Sequence, residues 1–119
     1  MEKSIQIIRP DDVTEYKPDL HMNTENRRLL KTENLEIILG QMTKGGTAQE
    51  HIHKMTDQMI YILQGKGSVT IDGKIVDIDP GTLLYIPKGV PHGGGVGFNR
   101  TGDLLKFLLI YSPPLTAFP

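Results

Sequence analysis

The sequence predicts an all-β fold, a barrel or jelly roll of short antiparallel strands. Three observations carry that prediction. Thirteen glycines and eight prolines are spread along 119 residues, cutting the chain into apolar runs suited to strands and too closely spaced for a series of long helices. The pair Asp72-Gly73 sits between two such runs as a type I′ hairpin turn. The punctuation leaves room for eight or nine strands and little helix, which fits a barrel or jelly roll better than a layered α/β fold. A chain of this length makes one domain.

Taken in order, Ile5, Ile7 and Ile8 can form a short strand, after which Pro10, Asp11, Asp12, Pro18 and Asp19 interrupt the chain up to Asn26. Residues 1–26 are therefore expected to wrap the outside of a barrel formed by residues 27–119. Arg27 to Lys31 and Leu35 to Thr43 read as a hairpin around Thr32-Glu33-Asn34, ending at Gly45-Gly46. His51 to His53 is extended. Gln58 to Gln64 is a strand closed by Gly65-Lys66-Gly67, and Ser68 to Asp72 pairs with Lys74 to Asp77 through the Asp-Gly turn. Asp79-Pro80-Gly81 turns into Thr82 to Ile86, Pro87 to Gly97 is a glycine-rich loop, and a turn at Asn99 to Asp103 leads into Leu104 to Tyr111. Pro113 and Pro114 end that strand, since proline cannot donate a ladder hydrogen bond.

Composition narrows the chemistry. Thirteen basic against fourteen acidic residues leave a formal charge of -1, which gives no broad attraction for nucleic acid or anionic lipid. With no cysteine, any metal must be held by histidine, carboxylate or amide groups. The N-terminal residues lack a signal-peptide core and no stretch of eighteen apolar residues occurs, so a cytoplasmic location away from membranes is expected.

The histidines carry the functional signal. His51 and His53 are separated by one residue in an extended segment, so their imidazoles face the same side as a ready pair of metal ligands. Gln58, Ile60 and Ile62 share one face of the next strand, with Gln58 inward at the mouth, while Met59, Tyr61 and Leu63 face out. An apolar outer stripe is expected to be covered, by a homodimer partner or by the N-terminal segment. His92 follows in a turn-rich loop stiffened by Pro87, Gly89 and Pro91. His21, outside this pattern, is expected at the surface.

In these residues the chain resembles the cupin superfamily. Its first motif, G-x5-H-x-H-x3,4-E-x6-G, fits Gly45, His51, His53, position 58 and Gly65; its second, G-x5-P-x-G-x2-H-x3-N, fits Gly81, Pro87, Gly89 and His92. The departures are Gln58 in place of glutamate and Val96 in place of asparagine. Asp57 fits the shorter permitted spacing but points away from the Gln58 face. The resemblance implies a double-stranded β-helix, or jelly-roll barrel, of the small single-domain type. It also implies one divalent transition metal per chain (Mn, Fe, Co, Ni or Zn). The set His51, His53, Gln58 and His92 is similar to that of a small cupin of pectin and alginate breakdown that opens unsaturated monouronates, which implies all four as metal ligands. For Gln58 the other reading is a lumen amide, hydrogen-bonded beside a three-histidine metal.

A neutral amide would leave the ion its full +2 charge, favouring Lewis-acid chemistry or capture of an anionic oxygen. The tail differs from the uronate cupin's. Aligned on Ser112-Pro113-Pro114, it places Leu109, Tyr111 and Leu115 where that protein carries Asp, Phe and Arg. Leu105, Phe107, Leu109 and Tyr111 share one face of the last strand, either as core packing or, for the last two, as cavity lining. Tyr111 is the candidate catalytic residue, as hydrogen-bond partner or proton donor. Lys88 and Arg100 flank the His92 loop as solvated charges or guides for an anionic ligand. The expected function is metal-dependent enzymology on a small oxygen-rich molecule such as a sugar acid, diketone or enol, by isomerase, lyase or dioxygenase chemistry. The rival is a non-catalytic metal-dependent binding or sensing module, favoured by the lack of a clear acid or base among the inferred lumen residues.

Overall fold

The computed structural model describes residues 4–93 and 104–115. Within them lie eight strands: β1 (His21–Lys31), β2 (Glu36–Ala48), β3 (Asp57–Gln64), β4 (Gly67–Ile71), β5 (Lys74–Ile78), β6 (Leu83–Ile86), β7 (His92–Gly93) and β8 (Leu105–Ser112). A short 3-10 turn at Pro10–Asp12 is the one helical element among the described residues, so none there could cross a membrane as a helix. The strands form a five-stranded sheet in the order β1-β2-β8-β3-β6 and a three-stranded sheet in the order β5-β4-β7. Every strand pair is antiparallel. The all-β jelly-roll expectation holds.

Period-two alternation decides what faces in. Ile38 and Met42 on β2, Ile60 and Ile62 on β3, and Leu105, Phe107 and Leu109 on β8 are buried together with Val69 and Ile78 from the smaller sheet, so both sheets share one core. Gly40 lies opposite Phe107, and a Cβ there would come within 2.7 Å of the ring's Cζ. A bare backbone at Gly40 is what leaves room for the Phe107 ring. The expected Asp-Gly turn is present, with φ of 50° at Asp72 and 77° at Gly73, both in the left-handed region that a type I′ turn requires.

Two boundaries differ from the sequence reading. No strand forms over Ile5 to Ile8, where Ile5 and Ile7 are 92% and 77% exposed. β1, in turn, begins at His21 and not at Arg27. The polar run His21 to Asn26 looks like loop in isolation, but pairing with β2 holds it extended, and tertiary pairing overrides local propensity. The register of β1 on β2 shifts between Met22 and Thr24 and again between Arg28 and Leu30. The second shift leaves Leu29 outside the ladder, so that Arg28 lies opposite Ile38 and Lys31 opposite Glu36.

β7, two residues long, falls inside the stretch expected to be loop. The Asn99 to Asp103 turn, residues 94–97 and Arg100 lie outside the described residues. On the outer face of the large sheet, Tyr61 and Leu63 lie beside Leu83 and Tyr85 of β6, and all four are exposed. The described part of the N-terminal segment therefore does not cover this stripe.

Candidate metal centre and its adjoining cleft

His51 and His53 lie between β2 and β3, and His92 opens β7. Backbone hydrogen bonds join these two segments: His51 N–H donates to His92 O at 2.8 Å, His92 N–H to His51 O at 3.0 Å, and Gly89 N–H to His53 O at 2.8 Å. Gly93, at φ 113°, carries β7 past the backbone of Gln49 so closely that a Cβ would sit 2.6 Å from the Gln49 carbonyl oxygen. As a result the three imidazoles converge, with ring centroids 4.8 Å apart for His51 and His53, 4.4 Å for His51 and His92, and 5.1 Å for His53 and His92. One nitrogen from each ring lies within 4.8 Å of those of the other two.

The surroundings fit a cation. His51 Nδ1 donates to Gln49 O at 2.7 Å and His92 Nδ1 to Val90 O at 2.9 Å. Because a carbonyl only accepts, each bond fixes the proton on Nδ1 and leaves the lone pair on Nε2, the tautomer a metal ligand needs. His92 Nε2 and Gln58 Oε1 are buried with no hydrogen-bond partner among the described residues. Each such orphan costs about 1–3 kcal/mol, and a divalent ion between them would remove both costs. Gln58 faces inward beside Tyr111, as expected, whereas Asp57 accepts a hydrogen bond from Lys88 N–H at 2.9 Å on the other side of the strand.

Burial also sets the charge of the cluster. It pulls His51 and His53 from the ordinary 6.5 to about 4, with the neighbouring histidines adding to the effect, and lowers His92 as well. At neutral pH the imidazoles are uncharged, the form that binds metal. Between pH 6.5 and about 4 the unfolded chain takes up protons that the folded chain refuses, so stability of the metal-free protein falls as pH is lowered through this window. With allowance for partial solvent access, the loss should be roughly 3 kcal/mol, about 10–15 °C in Tm. Calorimetry of metal-free protein at pH 7.5 and pH 4.5 checks this, and equal Tm values would contradict it.

Tyr111 is buried and meets His53 edge-on, with centroids 5.5 Å apart at 82°. Burial pushes its hydroxyl well above the usual range, reinforced by Tyr16 and Glu36, so it stays protonated and able to donate. A chamber of about 30 Å³ is lined by His51, Gln58, His92, Phe107, Leu109 and Tyr111. It shares His21, Leu109 and Tyr111 with an outer cleft of about 310 Å³, a volume at the lower end for small-molecule sites.

This cleft corrects two expectations. His21 is partly buried rather than on the open surface: its ring lies 6.2 Å from that of His51, and burial lowers its pKa. The lumen also holds an acid, because Glu36 lies inward opposite Tyr111 with 1% exposure. Its Oε2 accepts from Arg28 Nε at 2.7 Å and its Oε1 from Leu115 N–H at 3.2 Å. The alternation Glu36, Ile38, Gly40, Met42 was the available signal for it, since three small or apolar residues in step with one glutamate place that glutamate on the inner face.

Comparison with known proteins agrees with this geometry. Residues 38–111 match the family described as Cupin domain. Quercetin 2,3-dioxygenase of Bacillus subtilis is 36% identical over 66 residues, 56% of this chain and 20% of the dioxygenase. The chain thus spans about a fifth of that relative's length. Among solved structures, KdgF from Halomonas sp. superposes with a TM-score of 0.83 at 18% identity, covering 95% of this chain and 97% of that one. The polyketide cyclase RemF from Streptomyces resistomycificus gives 0.82 at 20% identity, covering 96% and 83%. At these identities the two structures establish a shared fold.

Proposed function

The chain belongs to the cupin family, and from that premise we propose that it is a metal-dependent enzyme acting on a small oxygen-rich molecule. One divalent transition ion (Mn, Fe, Co, Ni or Zn) is held by His51, His53, His92 and Gln58. The observation that carries this reading is the convergence of three neutral imidazoles with the unsatisfied Gln58 Oε1 and His92 Nε2. Bound there, the ion supplies Lewis acidity toward a carbonyl or enolate, or oxygen chemistry if it is redox-active. The protein's residues do the rest. Phe107 and Leu109 exclude bulk water from the chamber, and Tyr111 donates a hydrogen bond to ligand oxygen beside His53. One sequence relative is named a quercetin dioxygenase, which supports a small organic substrate.

The reading is tested by elemental analysis of purified and reconstituted protein, followed by turnover assays on sugar acids, diketones and aromatic diols with and without oxygen. Near-stoichiometric metal and a metal-dependent product are expected. In Gln58→Glu, a carboxylate replaces the amide, and metal affinity should rise at least tenfold while preference for anionic ligands weakens. Unchanged affinity and preference would remove Gln58 from the ligand set. A binding or sensing module is the second reading, favoured by Glu36, whose two oxygens are already engaged; tight ligand binding without turnover would select it. With Tyr61, Leu63, Leu83 and Tyr85 left exposed by the described N-terminal residues, a homodimer through this face is the arrangement we favour.

A further inference from the structure

The outer cleft is built around a cation. Arg28 comes off β1 facing inward opposite Ile38, and its Nε is spent on Glu36 Oε2 at 2.7 Å. Its guanidinium carbon lies 6.0 Å from the Tyr16 ring centroid, within cation–π range. Tyr16 is fixed in turn by two 2.8 Å backbone hydrogen bonds with Asn26. The guanidinium is thus held at one edge and on one face, which leaves the edge formed by its two terminal amino groups to meet a ligand. That edge matches a carboxylate bidentately.

Three further features surround it. Lys17 and Lys31 line the same cleft, so three cations there face two carboxylates, Asp19 and Glu36. Both oxygens of Glu36 are taken by Arg28 and Leu115, so it orients Arg28 while opposing an incoming anion less than a free carboxylate would. Asn26, 5% exposed and lining the cleft, has an Oδ1 with no hydrogen-bond partner among the described residues. Gln58, Tyr111 and Glu36 are successive register partners across β3, β8 and β2. With strands about 4.8 Å apart, this row spans about 10 Å between Gln58 and Glu36.

We propose that the cleft takes the carboxylate end of a ligand whose chelating oxygens reach the histidines, with Arg28 as the residue that recognises the carboxylate. The substrate class is then an oxygen-rich acid rather than a neutral diketone or diol. This rests on the metal-centre reading above. Glu36 and Tyr16 are then positioning residues for Arg28.

The test uses cobalt-loaded full-length protein and a matched pair of probes, 4,6-dioxoheptanoate and heptane-2,4-dione, which share the chelating diketone and differ in the carboxylate. The visible cobalt spectrum reports binding at the centre. In the wild type, the keto acid should act at a concentration at least tenfold lower than the neutral diketone. In Arg28→Gln that preference should vanish while the affinity for heptane-2,4-dione is unchanged, and Arg28→Lys should fall between. If Arg28→Gln fails to fold because Glu36 is left buried without its partner, the double variant Arg28→Gln/Glu36→Gln removes both charges and makes the same comparison. A preference that survives in the folded variant, or that is absent in the wild type, overturns the role of Arg28. If the protein takes up no cobalt, the metal-centre reading fails and the bridging ligand fails with it; if cobalt binds but its spectrum responds to neither probe, the bridging ligand alone is overturned.

Discussion

His92→Ala is expected to retain no stoichiometric metal after reconstitution, where the wild type is expected to hold about one ion per chain. The substitution deletes a cluster nitrogen that is buried and without a hydrogen-bond partner among the described residues. Loss of an outer-shell partner alone typically costs 10- to 100-fold in metal affinity, so loss of a ligand itself should cost at least 100-fold. The fold should survive, because β7 is tied to His51 through the backbone and not through the imidazole. Mass-spectrometric metal analysis and a circular-dichroism melt of the metal-free variant read the two effects separately. Full metal occupancy in a folded His92→Ala chain would contradict the assignment of this residue.

Gly93→Ala should damage both properties at once. The φ of 113° is one that L side chains rarely adopt, and the new Cβ would stand 2.6 Å from Gln49 O, 3.1 Å from Gln49 C and 3.2 Å from Glu50 Cα. All three are backbone atoms and cannot rotate aside. Backbone strain of about 1–3 kcal/mol and the clash together should cost about 4 kcal/mol, a large share of the roughly 5–15 kcal/mol that holds a domain together. In relaxing, β7 must move off the 49–51 segment, which draws His92 away from His51. The expected result is a Tm lower by about 15 °C and metal affinity at least tenfold weaker. Gly73 is the control: its φ is 77° but nothing lies within 4 Å of an added Cβ, so Gly73→Ala should cost only about 1–2 kcal/mol and leave metal binding intact. Equal losses in the two variants would mean that the Gln49 contact is irrelevant.

The histidine cluster was legible in the sequence because its determinants are local. His51 and His53 share a side by the period of two, Gln58 and Tyr111 face inward as strand alternation requires, and the Asp72-Gly73 turn forms where expected. The second wall was not legible, for a physical reason. Glu36, Arg28, Asn26 and His21 meet only because β1 pairs with β2, and β1 begins in a polar run whose local propensity argues for loop. His21 illustrates the limit: nothing adjacent to it in the chain indicates that its ring comes to lie 6.2 Å from that of His51. Glu36 went unread because the opposite face of the same strand, with Ile37 and Leu39, is also apolar, which masks the alternation that puts Glu36 in step with Ile38, Gly40 and Met42.

Arg28 and Lys31 are three positions apart, an odd number, and in a regular strand odd spacings put two side chains on opposite sides. Both line the cleft only because Leu29 stands out of the ladder and resets the count. The positive wall is therefore a matter of parity as much as of composition. Straightening this stretch so that Leu29 rejoins the ladder would keep both cations in the chain and its net charge unaltered, yet turn one of the two to the opposite side of the sheet. Homologous chains that carry both cations at this three-residue spacing but pair the segment without the bulge would then lose acid selectivity, with identical histidines behind them.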